Sequence, residues 1–232
     1  MIEEEERHFL DYPELNSVLE SLYPSLLNES DRGAILVALS VIDNQLDMLF
    51  ESIVPDNTPR KRKKNIFNRT GPFGTLSGKL DIAYACRIIP SSIVDSVHIL
   101  RGIRNSVAHG TDPFSLVDHH GRIREAYDCL GDSVKIGINR IALDTMGGRA
   151  VESLGQLRDP GDSEKPMFSN TAEIADALLN HETAISDMER QLPKYELIFA
   201  AHLICGLIFM RQRNYLRLHK NAKKLMAIRG DA

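Results

Sequence analysis

Apolar residues recur along most of this chain at intervals of three and four. Ile35, Leu39, Ile42, Leu46, Leu49 and Ile53 are spaced 4, 3, 4, 3, 4, a stripe that predicts one long amphipathic helix. Ser30 is a favoured cap before it, Asp31 suits the positive end of the helix dipole, and Pro55 stops it. Leu15, Val18, Leu19 and Leu22 mark a shorter helix over 14–27. The pattern predicts a further helix over 77–89, broken by Pro90. Another runs from a cap at Ser91 or Ser92 to His109, with Gly110 just beyond its end. Asn170 with Glu173 resembles a capping box opening a helix to about Arg190, with Ile174, Leu178, Ile185 and Met188 as its apolar face. Pro193 precedes a last helix.

Two stretches are predicted as loop: 55–76, and a long one marked by Gly147-Gly148, Gly155 and the segment 159–166. The rest of 113–169 is helical only in parts. Strand signals are nearly absent and no repeat occurs, so the expectation is an all-α chain. It forms one helical domain over 1–232, with a long apolar C-terminal helix. That helix carries the run from Leu197 to Met210, fourteen residues interrupted by His202. A bilayer span takes about 20 apolar residues, so the run is expected to be buried, in the chain's own core or at an oligomer interface.

Composition narrows the class. With 43 % apolar and 26 % charged residues, the chain is neither disordered, collagen-like nor low in complexity. Cys86, Cys129 and Cys205 are odd in number and far apart, which argues against a disulfide framework and a structural zinc. The acidic start lacks the apolar core of a signal peptide. A reducing cytoplasm and no membrane association are therefore expected. Net charge is −4, too acidic for a general nucleic-acid coat, but the charges are segregated. Residues 1–31 hold nine acids and one base, whereas 211–232 hold seven Lys or Arg and one acid. Arg60, Lys61, Arg62, Lys63 and Lys64 are consecutive. Such runs are usually just solvated, yet a focused basic segment can hold a polyanion locally.

Most catalytic signatures are missing. Gly74 and Gly78 enclose three residues rather than four, and Leu80 follows Lys79, so no Walker loop is present; a glycine-rich turn at a helix start fits better. Asp118-His119-His120 lacks metal-ligand spacing and suits a surface loop. His181 and His202 fall on apolar faces, where a satisfied core histidine is the commoner outcome. No GxSxG elbow and no local cysteine-nucleophile signature occurs. Arg104, Asn105 and His109 remain. On the stripe Ile93, Val97, Leu100, Val107 the spacing places Arg104 among apolar positions, where a guanidinium must snorkel out or meet a partner. Asn105 and His109, four apart, share a face. The set can border one groove, particularly if a second copy packs against it. The alternative is structural, a histidine favoured by the helix dipole and an arginine bordering an interface.

Arg104-Asn105 with His109 resembles the R-x4-6-H signature of HEPN domains. Glu29–Gly33, Gly71–Ser77, Ala83–Ala85 and Ile103–Asn105 with Ala108-His109 resemble the mannitol operon repressor family, itself HEPN-like. The likeness covers roughly 28–112; the insertion at 60–64 and much of the divergent extension 113–232 fall outside it. The HEPN resemblance implies a metal-independent endoribonuclease, a toxin or antiviral-defence effector needing no cofactor and restrained by an antitoxin or other regulatory protein. His109 would move the ribose or leaving-group proton and Arg104 would stabilise phosphate charge, with Asn105 orienting the groups. The site would be composed across a homodimer, Arg60–Lys64 would guide RNA, and a 2′,3′-cyclic phosphate would result. The repressor resemblance implies instead a regulator working by protein–protein contact, without catalysis. An inactive partner that binds nucleotide or RNA is a third reading.

Overall fold

From Ser30, whose hydroxyl accepts the Gly33 amide at 3.1 Å, α2 (Asp31–Ile53) runs for 23 residues. Its predicted stripe from Ile35 to Leu49 is buried, as a four-three spacing facing one core requires. In this computed structural model, residues 12–109 and 114–230 are described, except for the side chains of 107–109 and 222–230. Around α2 lie α1 (Pro13–Asn28), α3 (Arg60–Phe67), α4 (Leu76–Ala85), α5 (Ser91–His109), α6 (His120–Asp128), α7 (Asp132–Gly155), α8 (Thr171–Leu179) and α9 (Glu182–Gly230). A two-stranded antiparallel hairpin, β1 (Arg158–Asp159) and β2 (Asp162–Pro166), is the sheet among the described residues. The all-α expectation is met.

Helix α9 is the central post, packed against α1, α2, α6, α7 and α8. Its apolar run is buried within the chain, with Leu197, Ile198, Ala200, Ala201, Ile204, Cys205 and Ile208 closed to solvent. By length and composition α2 and α9 could each cross a bilayer, but 50 % and 72 % of their apolar windows are buried inside the fold. Asp31 ties the core together: one oxygen accepts the Leu116 amide at 2.9 Å and the other meets Lys194 of α9 at 3.3 Å. Lys79 of α4, whose side chain is 4 % exposed, sits between Asp43 and Asp47 of α2 at 2.7 and 2.6 Å.

Several boundaries differ from the sequence expectation. The predicted loop 55–76 contains α3. Arg and Lys are good helix formers, and Phe67 packs on Phe73, which stacks on Phe50 at 4.0 Å. The Gly71–Gly74 turn is what brings Phe73 back. A Cβ at Gly71 would strike the carbonyl oxygen of Asn65, and one at Gly74 that of Asn68; only glycine allows so close a backbone approach. Helix α4 stops at Ala85 because Arg87 takes a left-handed φ of 57°. Gly147 and Gly148 lie inside α7, where packing against α9 outweighs the low helix propensity of the pair. The long loop shrinks to the hairpin. Asn170 caps α8 as expected, accepting from the amides of Ala172 and Glu173, but that helix ends at Leu179. Helix α9 begins earlier, at Glu182, and Pro193 lies within it.

His181 therefore stands at the α8–α9 break, exposed, with its Nδ1 2.7 Å from the Thr183 hydroxyl, not on an apolar face. His202 is buried as expected, at 4 % exposure, but neither ring nitrogen has a partner among the described residues. Burial pushes its pKa below the ordinary 6.5. The folded state thus prefers the neutral ring, so stability is complete above pH 6.5 and declines as pH falls below it. His202→Leu should raise the unfolding free energy by about 1–2 kcal/mol, the cost of an unpaired buried polar group. Urea unfolding at about pH 7.5 and about pH 5.5 should show a smaller acid loss in the variant; an equal loss would discharge His202 from this role.

Candidate functional site

The core of α5 follows Ile93, Val97, Leu100 and Ile103. Arg104 keeps the stripe's spacing, but its side chain is exposed, the outcome of a guanidinium that reaches out to solvent. Ile103 is the last buried position of α5 among the described residues, and Arg104 is open to solvent although at about 100° per residue it stands only about 20° from Ile93. Arg104 borders a cleft of about 450 Å³ together with Ser40 and Asp43 of α2 and Arg69 and Thr75 before α4. Among the described residues it has neither an ion pair nor a hydrogen bond. Thr75 caps α4, its hydroxyl accepting the Gly78 amide at 3.1 Å. Counting Lys79 and Asp47 beside it, three cations face two carboxylates there.

Asn105 is exposed next to Arg104. The side chain of His109 lies outside the described residues, so its place relative to the other two is not on display. The imidazole that does approach this segment is His119: its Nε2 is 3.5 Å from the Ser106 hydroxyl and its ring stacks on Phe114. Arg60, Lys61, Arg62 and Lys64 are exposed on α3, and Lys63 reaches Glu51 at 3.7 Å. They lie on a helix, not in the loop expected of them.

A second polar centre escaped the sequence reading. Glu196, on α9, has a side chain with no solvent exposure. His120 Nε2 lies 2.7 Å from one of its oxygens, while Arg124 and Asn139 donate to the other at 3.1 and 2.9 Å. Burial alone would push the Glu196 carboxyl up; donation from Arg124, Asn139 and His120 outweighs it and holds the pKa below the usual range. The Tyr127 hydroxyl is buried nearby without a hydrogen-bond partner among the described residues, and burial with the Glu196 charge drives its pKa up. The one signal in sequence was a lone acid immediately before the apolar run; its partners lie 57 to 76 positions away. His120 thus belongs to an internal ion-pair network, whereas a surface loop was expected. No group of three metal-ligating side chains occurs among the described residues.

Beside this network, α7 presents apolar side chains to solvent. Ile136 is 70 % exposed and Leu143 43 %. Seven residues apart, they share one helix face. They line a shallow groove of about 460 Å³ rimmed by Arg124, Lys135 and Arg140. Lys135 pairs with Asp128 at 2.8 Å and Arg140 with Asp144 at 3.7 Å.

No family model matches this chain, and no curated protein matches it. Among solved structures it is similar to a chain of the MtlR–HPr complex from Escherichia coli. Identity there is 16 %, covering 84 % of this chain and 97 % of that one, with a TM-score of 0.49.

Proposed function

We propose that this protein is a regulator that works by binding another protein and catalyses no reaction. The observation that carries it is the exposed α7 face. A branched apolar side chain left 70 % open, with a second on the same face and a cationic rim, has the make-up of a protein interface: an apolar centre inside a polar border. Two of the rim cations, Lys135 and Arg140, are held only by surface ion pairs, which are worth little and exchange readily for a partner's carboxylates, whereas Arg124 stays with buried Glu196. A partner presenting apolar and acidic side chains fits the groove, and a protein partner is what the repressor-like stretches of sequence imply.

Affinity capture with the tagged chain from its own cells should retain one defined protein, with wild type and His109→Ala alike. Purified, that protein should bind wild type at least tenfold more tightly than Ile136→Asp/Leu143→Asp. Equal binding by the double variant, or no binding after purification, overturns the reading.

The second reading is the metal-independent endoribonuclease across a homodimer. It is favoured by one feature, the solvent-facing Arg104–Asn105 pair beside a cleft shared with Arg69. Incubation with total RNA in EDTA separates the two. A regulator leaves the RNA intact; a nuclease cuts it, giving 2′,3′-cyclic ends, and His109→Ala abolishes the cutting.

A further inference from the structure

Two basic segments about 150 positions apart in sequence approach the same cleft of the helical bundle. The first is α3, in which Arg60 to Lys64 are consecutive and no acid occurs. At about 100° per residue five successive cations point to every side of a helix, and in isolation they would repel one another. Here the helix is pinned by Phe67 on Phe73 and Phe73 on Phe50, so its charges are carried on a fixed platform. The second is the stretch of α9 from Arg211 to Lys220, which holds Arg211, Arg213, Arg217 and Lys220 and no acid. Arg213 is committed to the Tyr12 ring, its guanidinium carbon 4.4 Å from the centroid. Arg211, Arg217 and Lys220 are exposed.

What joins them is the α2–α3 connection. Val54, Pro55, Asp56 and Asn57 form one wall of a cleft of about 540 Å³, and Tyr215, Leu216 and His219 form the other. The chain turns at Pro55, whose carbonyl accepts the Thr58 amide at 2.9 Å, and α3 starts three residues after Asn57. Three residues span at most about 10 Å, so the first cations of α3 stand within that reach of the cleft. On the far wall, the rings of Tyr215 and His219 are nearly parallel, 6° apart in plane with centroids 6.2 Å apart. His219 is exposed at the outer edge. Among the described residues, the acids beside the cleft and α3 are Asp56, in the cleft wall, and Glu51, 3.7 Å from Lys63.

We propose that α3 and the 211–220 stretch of α9 form one composite surface that binds a single-stranded nucleic acid. The lysines and arginines neutralise the phosphodiester backbone, and the Tyr215–His219 ring pair offers a base a face to stack on. The pairing of dispersed cations with open ring faces is the design that sequence-tolerant single-strand binders use. A purely acidic protein segment would have no use for the rings. The surface is independent of the α7 groove, so it stands whether or not that groove takes a protein.

Fluorescence anisotropy of the full chain with a labelled 20-residue oligouridine tests this directly. Binding should appear at low salt, and log affinity should fall linearly with log salt, at about 0.7 per phosphate neutralised. Arg60→Glu/Arg62→Glu/Lys64→Glu and Arg211→Glu/Lys220→Glu should each weaken binding about tenfold or more and flatten the slope. His219→Ala should weaken it about fivefold, as loss of one stacked base does, without changing the slope. Oligothymidine should bind comparably and a duplex more weakly. Circular dichroism melts confirm that each variant is folded, and all these changes are on the surface. No binding at low salt overturns the proposal. So does an α9 variant within twofold of wild type, which would leave α3 acting alone. Equal affinity for a heparin fragment of matched charge would remove the stacking role and with it the assignment to nucleic acid. The α7 variant Ile136→Asp/Leu143→Asp should bind the oligonucleotide like wild type, which separates failure here from failure of the protein-partner reading.

Discussion

Phe50→Ala should lower the unfolding free energy by about 4 kcal/mol, within the range for truncating a buried phenylalanine. Phe50 is 2 % exposed in the last turns of α2, and its ring stacks on Phe73 at 4.0 Å with 20° between planes. Alanine removes the transfer free energy of the ring and leaves a cavity that the rigid α2–α9 core has little freedom to fill. A domain of ordinary stability has about 5–15 kcal/mol in total, so a loss of this size is severe. It has a local signature as well. Helix α3 is secured to the core through Phe67 and Phe73, and five adjoining cations work against it. Trypsin should therefore cut between Arg60 and Lys64 well before global unfolding in the variant, and slowly in wild type. Unfolding by urea gives the free energy, and mass mapping of early fragments gives the site. A loss below about 1 kcal/mol, or cleavage no faster at α3, would mean that the aromatic stack is not the anchor.

Glu196→Ala comes next, with an expected loss of about 3 kcal/mol. Removing one member of a buried ion pair typically costs 3–5 kcal/mol because the partner charge is stranded. The lower end applies because the side chains of His120 and Arg124 are 25 % and 41 % exposed and can recover water. Asn139 still loses its acceptor. The pH dependence has a definite sign. The Glu196 carboxyl is held below its ordinary 4.5 in the folded state, so its contribution is complete above that pH and disappears as pH falls through the lower folded value. Wild type should lose stability more steeply than the variant below pH 4.5, and the two curves should converge in acid. Glu196→Gln keeps the shape but not the charge and should fall between them. Parallel curves would show that the carboxylate is not what the network stabilises.

Helix α2 was legible in sequence almost to the residue. Its stripe, its serine cap and its proline stop are all local signals, and they agree with one another. The same holds for the Asn170 cap and for burial of the apolar run in α9. Where local signals conflicted, the sequence misled. Gly147-Gly148 suggested a break that the packing of α7 against α9 overrides, and Pro193 suggested a boundary that α9 runs through. The basic run at 60–64 looked like loop because its anchor, Phe73, lies beyond it in sequence and returns only through a turn that depends on Gly71 and Gly74.

The candidate site divides in the same way. That Arg104 and Asn105 sit near the end of a helix, with Arg104 in line with the apolar stripe, followed from spacing; that Arg104 is open to water did not, because burial depends on what packs over that end of the helix. Which cations join them is a matter of α4 and the turn before it meeting α2 and α5. Glu196 and its three donors come from α9, α6 and α7, and the two basic segments lie about 150 positions apart in the chain. Helical periodicity and caps act over a few residues, so the chain's own order settles its class, most of its helices and its apolar faces. Contacts between distant segments depend on how those faces pack around α9. That packing alone placed a buried carboxylate among its donors, left Arg104 open to solvent, and set the α2–α3 connection across a cleft from Tyr215 and His219 of α9.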